Sequence, residues 1–411
     1  MIATLAIVPP EESVAEELFR LSGLPPYVFA EVNAMKAAAR RRGEDVIDLG
    51  MGNPDGPPPP HVVQKLVETL NNPRVHGYST SRGIPGLRRA QAAYYQRRFD
   101  VTLDPETEVV VTLGSKEGLA NLAQAIVAPG DVVVVPDPCY PIHAFGQIFA
   151  GAELRPVPIG PGLDLLGGIE RAMRQTPKPR CVVVNFPANP TALTVGLDFY
   201  ERVVALAKEL NILVVSDIAY AEIYFDGNPP PSILQVPGAK DIAIEFSSLS
   251  KTYNMAGWRI GFAAGNARLI AALAKIKSYL DYGAFTPIQV AATAALNGPQ
   301  DCVAEIRQRY KDRRDVLIES LARAGWQVPA PNASMFIWAP LPPDFAALGS
   351  LEFCKHLLTE AQVAASPGIG FGPGGEGYVR FALIENRQRL RQAARNIAGV
   401  LRRSNSVRNA G

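Results

Sequence analysis

The chain has 411 residues, too many for one ordinary core and enough for two domains. Apolar residues make up 47% and charged residues 19%, as in a soluble globular enzyme. A net charge of +2 supplies neither a basic field for nucleic acid nor an acidic tail, and the one dense basic run, "ARRRGED", is closed by two acids.

The four cysteines (Cys139, Cys181, Cys302 and Cys354) are scattered, with no C-x-x-C, and read as free thiols of a reducing compartment. The opening "MIATLAIVPPEES" lacks the basic start and small-residue cleavage site of a signal peptide. No apolar run reaches membrane-spanning length, so the expectation is a cytoplasmic protein without a membrane partner.

In chain order, "VFAEVNAMKAAARRRGE" predicts a helix, followed by a short strand "VIDLG" and the proline-rich "NPDGPPPPH". Six apolar runs of strand length follow: "EVVVTLG", "DVVVVPDP", "RCVVVNFP", "NILVVSD", "DIAIEFSS" and "RIGFAAG". They are rich in valine and isoleucine and mostly do not alternate with polar residues, as expected of strands covered on both faces. Helical patterns such as "SKEGLANLAQAIVAPGD" and "GLDFYERVVALAKELN" lie between several of them. The fold class is therefore α/β: a three-layer α/β/α large domain with a mostly parallel sheet.

This domain is placed at residues 51–290. Residues 1–50, an N-terminal arm, and 291–411 would contribute a smaller α+β domain. In the latter, "WQVPAPNASMFIWAPL" alternates like a strand, and the last helix puts Leu390, Ala394, Ile397 and Leu401 on one face.

Ligands of open α/β sheets sit at the carboxyl ends of the strands. After "EVVVTLG" comes "SKEGLA", whose Ser115 and Lys116 open a helix suited to an anion. After "DIAIEFSS" come Ser248, Ser250 and Lys251, with Arg259 eight residues past the lysine. Asp217 ends "NILVVSD", Tyr220 follows it, and Asn189 follows "RCVVVNFP".

One small cofactor satisfies all of these, with a phosphate at one end and a basic nitrogen at the other. Ser115, Lys116, Ser248, Ser250 and Arg259 suit the phosphate, Arg259 through two parallel donors. Asp217 favours a protonated ring nitrogen by opposite charge. Asn189 and Tyr220 can donate to a ring oxygen, and Lys251 can form an imine with an aldehyde. The two nearby cations then have different tasks, which removes the conflict of placing them together.

The bland readings are a surface Lys251, a strand-end cap at Asp217, a core Tyr140 and a solvated Lys116. They are outweighed for Lys251 by the serines before it and "GWRIG" after it, and for Asp217 by the tyrosine three residues on. For Lys116 the backbone N–H is the better candidate than the side chain. His61, His76, His143 and His356 show no metal spacing and are taken as structural or surface residues, so no metal is expected.

With these motifs in view, the chain resembles the fold type I aminotransferases that use pyridoxal 5′-phosphate. The likeness runs from "LPPYVF" to "VRFALIEN" and is most specific in "SLSKTYNMAGWRIGF", supported by "SDIAY" upstream. "YSTSRGIPGLRRA", "IKSYLDYGAFTPIQVAA" and "SPGIGFG" are most similar to the bacterial glutamate–pyruvate (alanine) aminotransferases, with the LL-diaminopimelate branch a neighbour.

The resemblance implies that Lys251 holds the cofactor and shuttles the proton, and that Tyr140 stacks on its ring. It also implies that Tyr78 reaches the phosphate of a neighbouring subunit in a homodimer, that Arg380 clamps the substrate α-carboxylate with Asn189, and that Gly52 lets the backbone approach it. A charge inside the apolar strand "YVRFAL" is itself costly without a partner, and a ligand carboxylate would be one.

Three positions depart from the common pattern: Ala192 and Ser334 stand where relatives often have glycine, and Asp281–Phe285 offers no arginine for a second carboxylate. The expected reaction is a ping-pong exchange of an amino group between an L-amino acid and a 2-oxo acid, most closely alanine or glutamate with 2-oxoglutarate or pyruvate. A pyridoxal-phosphate C–S lyase of the same fold shares the early steps. A cofactor-sensing DNA-binding regulator is disfavoured by the short N-terminal arm and the absence of a basic field.

Overall fold

The computed structural model describes residues 28–408, with side chains to residue 403. The opening apolar run and the first residues of "LPPYVF" lie outside the described residues. The strands, in chain order, are β1 (Ile47–Asp48), β2 (Val109–Thr112), β3 (Val132–Asp137), β4 (Glu153–Pro158), β5 (Cys181–Asn185) and β6 (Leu213–Asp217). They continue with β7 (Ala243–Ser248), β8 (Gly261–Gly265), β9 (Phe336–Pro340), β10 (Val363–Ala364), β11 (Ser366–Pro367) and β12 (Tyr378–Ala382).

Seven of them form one sheet in the order β2-β8-β7-β6-β5-β3-β4. Neighbours are parallel except for β8, which runs against both β2 and β7. Successive side chains of these strands enter opposite cores. Val182 and Val184 pack with the helices Pro85–Phe99 and Leu197–Leu210. Val183 and Val215 pack with Ser115–Ile126 and Ala267–Leu280. Burial on both faces explains why the strands read as unbroken apolar runs.

The six expected strands are all present. The seventh, β4, has two prolines and only one buried side chain, Val157. It lies at the sheet edge, where a missing N–H is tolerated and little apolar burial is required.

A separate apolar core joins both ends of the chain. The three-stranded sheet β11-β12-β9 and the pair β1-β10 pack with the helices Gly349–Ala361 and Arg387–Arg408. Leu390, Ala394, Ile397 and Leu401 are all buried there, as their spacing implied. No helix among the described residues is long and apolar enough to cross a membrane.

Candidate active site

Register brings the site together. Asn185 pairs with Asp217 across β5 and β6, and Asp217 with Phe246 across β6 and β7, so their ends share one edge. The antiparallel return of β8 pairs Gly261 with both Ser248 and Thr112. The connection carrying Lys251 and Arg259 is thereby folded back against the start of the helix Ser115–Ile126. The result is a cleft of about 390 Å³, within the usual range of small-molecule sites. Its walls include Ser115, Lys116, Tyr140, Asn189, Asp217, Tyr220, Ser248, Ser250, Lys251, Arg259 and Arg380.

One end of the cleft is built for an anion. Ser115 is the first residue of its helix, and Gly114 before it has φ +83°, a conformation costly for other residues. A side chain at Gly114 would also strike the Arg259 guanidinium. Arg259 itself has φ +54° and donates to Ala256 O at 2.8 Å and Leu113 O at 3.3 Å. An arginine in that sparsely populated region is the kind of local strain found at ligand clamps. Ser248 and Ser250 are buried and share a hydroxyl–hydroxyl bond of 2.9 Å. The Lys116 side chain is exposed on the cleft rim, its Nζ 6.0 Å from the Tyr140 ring centroid.

The middle holds Asp217 and Lys251. Asp217 is buried, and its Oδ2 is 2.9 Å from Nε2 of the equally buried His143. Its Oδ1 accepts the Ala219 N–H at 3.0 Å. His143 is a structural residue here, fully enclosed rather than on the surface. It lies against the carboxylate and makes a T-shaped contact with the Tyr140 ring. Lys251 Nζ donates to Gly52 O at 2.7 Å. Burial, and then the positive charges of Arg380 and Arg259, push this amine down from 10.5 to about 8. Burial also holds the Tyr220 phenol well above its ordinary value, partly opposed by Arg380, so Tyr220 remains a proton donor.

Arg380, on β12, closes the other end. Its Nη1 donates to Asn189 Oδ1 at 2.7 Å and its Nη2 to Gly50 O at 2.9 Å. The guanidinium lies 4.0 Å from the Phe336 ring centroid and 4.6 Å from that of Phe371. Because Asn189 spends its carbonyl on Arg380, its amide nitrogen is the group left to donate to a ligand. A Cβ on Gly52 would come within 2.6 Å of Phe336, which accounts for glycine at that position. Gly50, Ser366, Phe336 and Phe371 were not foreseen, since their roles depend on β1, β11 and β12 converging.

Tyr78 does not line this cleft; it is 88% exposed and packs on Tyr282 with ring centroids 4.6 Å apart. Among the described residues no cluster of His, Cys, Asp or Glu could hold a metal ion.

The donor set fits pyridoxal 5′-phosphate. Hydroxyls, a helix start and a guanidinium would suit the phosphate end, a buried carboxylate would suit a ring nitrogen, and an amine of depressed basicity lies between them. Comparison with known proteins agrees. The sequence profile of aminotransferase class I and II matches residues 44–397. The glutamate-pyruvate aminotransferase AlaC of Escherichia coli (strain K12) is 59% identical, over 93% of each chain. An LL-diaminopimelate aminotransferase of Desulforudis audaxviator (strain MP104C) is 45% identical, over 94% of this chain and 98% of that one. A mutant structure of the aspartate aminotransferase of Thermus thermophilus superposes with a TM-score of 0.87 at 31% identity, covering 93% of this chain and 98% of that one.

Proposed function

The chain belongs to the class I and II aminotransferases and is a transaminase, and from that premise we propose that it uses pyridoxal 5′-phosphate to exchange amino groups between alanine and glutamate and their 2-oxo acids. The greater identity to the glutamate-pyruvate enzyme than to the LL-diaminopimelate enzyme supports this substrate pair. The observation that carries the reading is a buried amine of depressed basicity sharing one cleft with a framed arginine.

When bound, the cofactor supplies an aldehyde and an electron-withdrawing ring that accepts charge from a substrate Cα. Ser115, Ser248, Ser250 and Arg259, with the Lys116 backbone, would hold its phosphate, and Tyr140 would lie against its ring. Asp217, oriented by His143, would keep the ring nitrogen protonated, while Asn189 and Tyr220 donate to the ring oxygen. Arg380 binds the substrate carboxylate and so fixes which Cα bond points at Lys251. The Lys251 Nζ, whose basicity burial lowers, would take the Cα proton of a substrate held on Arg380.

Tyr78, with the exposed Tyr279, Leu280, Tyr282 and Phe285, forms an apolar surface that suits a second copy of the chain. In that homodimer Tyr78 would reach the neighbour's phosphate. The unbridged cysteines suit a cytoplasmic setting.

Loaded protein given alanine and 2-oxoglutarate should yield pyruvate and glutamate, and Lys251→Ala should abolish turnover while the fold persists. Wild-type turnover in Lys251→Ala would overturn the mechanism. Release of a thiol, pyruvate and ammonia from a cysteine S-conjugate, without any oxo-acid acceptor, would point to C–S lyase chemistry instead.

A further inference from the structure

Resting on this aminotransferase reading, we propose that Lys36 is a specificity residue that binds the distal carboxylate of a dicarboxylic substrate such as glutamate or 2-oxoglutarate. The helix Val28–Arg41 turns Phe29, Val32, Asn33 and Lys36 onto the cleft, the spacing of a single helical face. Phe29 packs on Phe371 with ring centroids 5.1 Å apart, and Phe371 also lies beside the Arg380 guanidinium. This face therefore borders the place where a substrate held by Arg380 projects its side chain.

Among the described residues lining the cleft, the cations are Lys36, Lys116, Lys251, Arg259 and Arg380. Lys116 and Arg259 lie at the phosphate end, Lys251 reacts, and Arg380 takes the α-carboxylate. The Lys116 side chain is exposed on the rim beside Tyr140, which leaves Lys36 as the mostly buried cation without a task in the cleft. The segment expected to set specificity is otherwise engaged within this chain: Asp281 binds Lys277 at 2.9 Å and Tyr282 stacks on Tyr78.

Lys36 is built to exchange partners. Its Nζ is 2.8 Å from Asp48 Oδ2, an oxygen that Arg40 also approaches at 3.3 Å. Asp48 Oδ1 meanwhile accepts the Gly50 N–H at 3.1 Å. If Lys36 swings to a ligand carboxylate, Asp48 keeps Arg40 and Gly50, so no anion is stranded. A lysine on a flexible four-carbon stem can turn between the two carboxylates. With alanine or pyruvate Lys36 stays on Asp48 and the pocket presents no unpaired charge. One site thus serves substrates with and without a second carboxylate.

The test uses the loaded wild type and Lys36→Met, with each amino acid's half-reaction followed separately by cofactor absorbance. The kcat/KM ratio of glutamate to alanine should fall about tenfold to a hundredfold, mostly through KM for glutamate. Glutarate, as an inhibitor of the alanine half-reaction, should weaken by a similar factor, and Lys36→Arg should recover part of the ratio. An unchanged ratio, whether both rates fall together or neither does, would overturn the proposal while leaving the aminotransferase reading intact. Wild-type protein that converts neither amino acid would overturn that reading, and the proposal with it.

Discussion

Lys251 shows how neighbours set the chemistry of a single side chain. An ordinary lysine is about 0.3% neutral at pH 8, whereas an amine with its midpoint at about 8 is half neutral there. The shift is downward, so the neutral form is favoured above pH 8 and is lost as pH falls below it. Labelling of the cofactor-free protein with an amine-selective reagent, read at Lys251 by mass spectrometry, should therefore rise with a midpoint near pH 8. A midpoint near 10.5 would mean that burial and the two arginines do not act on it. The same shift makes the cofactor-free protein lose stability as pH drops from 10.5 toward 8, because the unfolded chain takes up the proton more readily.

Strands β6 and β7 are held by a buried polar node as well as by apolar contacts. Glu245 lies fully inside the sheet and accepts from Tyr95 and Ser216 hydroxyls at 2.9 Å each, from the Ser232 hydroxyl, and from Ile233 N–H at 3.1 Å. Burial raises its affinity for a proton and these donors oppose that. Glu245→Leu would leave all of them unpaired, and we expect a loss of roughly 3 kcal/mol or more in denaturant unfolding, with Glu245→Gln milder. A loss under about 1 kcal/mol would show that the node is replaceable.

This element-scale logic also marks the limit of what could be read from sequence. Strands buried on both faces announced themselves by composition, and the lysine, aspartate and arginine at their ends by position. β4 did not, because an edge strand with prolines carries no such signal. His143 escaped for a different reason: a lone histidine acquires meaning only when β6 ends against its helix. The frame around Arg380 comes from segments more than 300 residues apart, Gly50 and Ser366 being linked by a 2.7 Å bond. No local pattern could connect them.

For the whole molecule, the exposed apolar surface around Tyr78 and Tyr282 is the feature that a single copy leaves unresolved. Tyr282→Asp should shift sedimentation from dimer toward monomer and weaken cofactor retention together; a monomeric wild type would remove the proposed shared site. Within one copy, the turn at Gly50–Gly52 receives both Arg380, from β12, and Lys251, from the helical turn Leu249–Thr252 after β7. Since the charge of Arg380 depresses the basicity of Lys251, an anion docking on the guanidinium cancels that pressure and makes the amine more basic. Linkage requires the converse: acidification, by protonating the amine, strengthens the grip on incoming anions. In the cofactor-free protein the guanidinium and the amine thus sense one another through the field between them, so an acid group resting on Arg380 would be felt at Lys251.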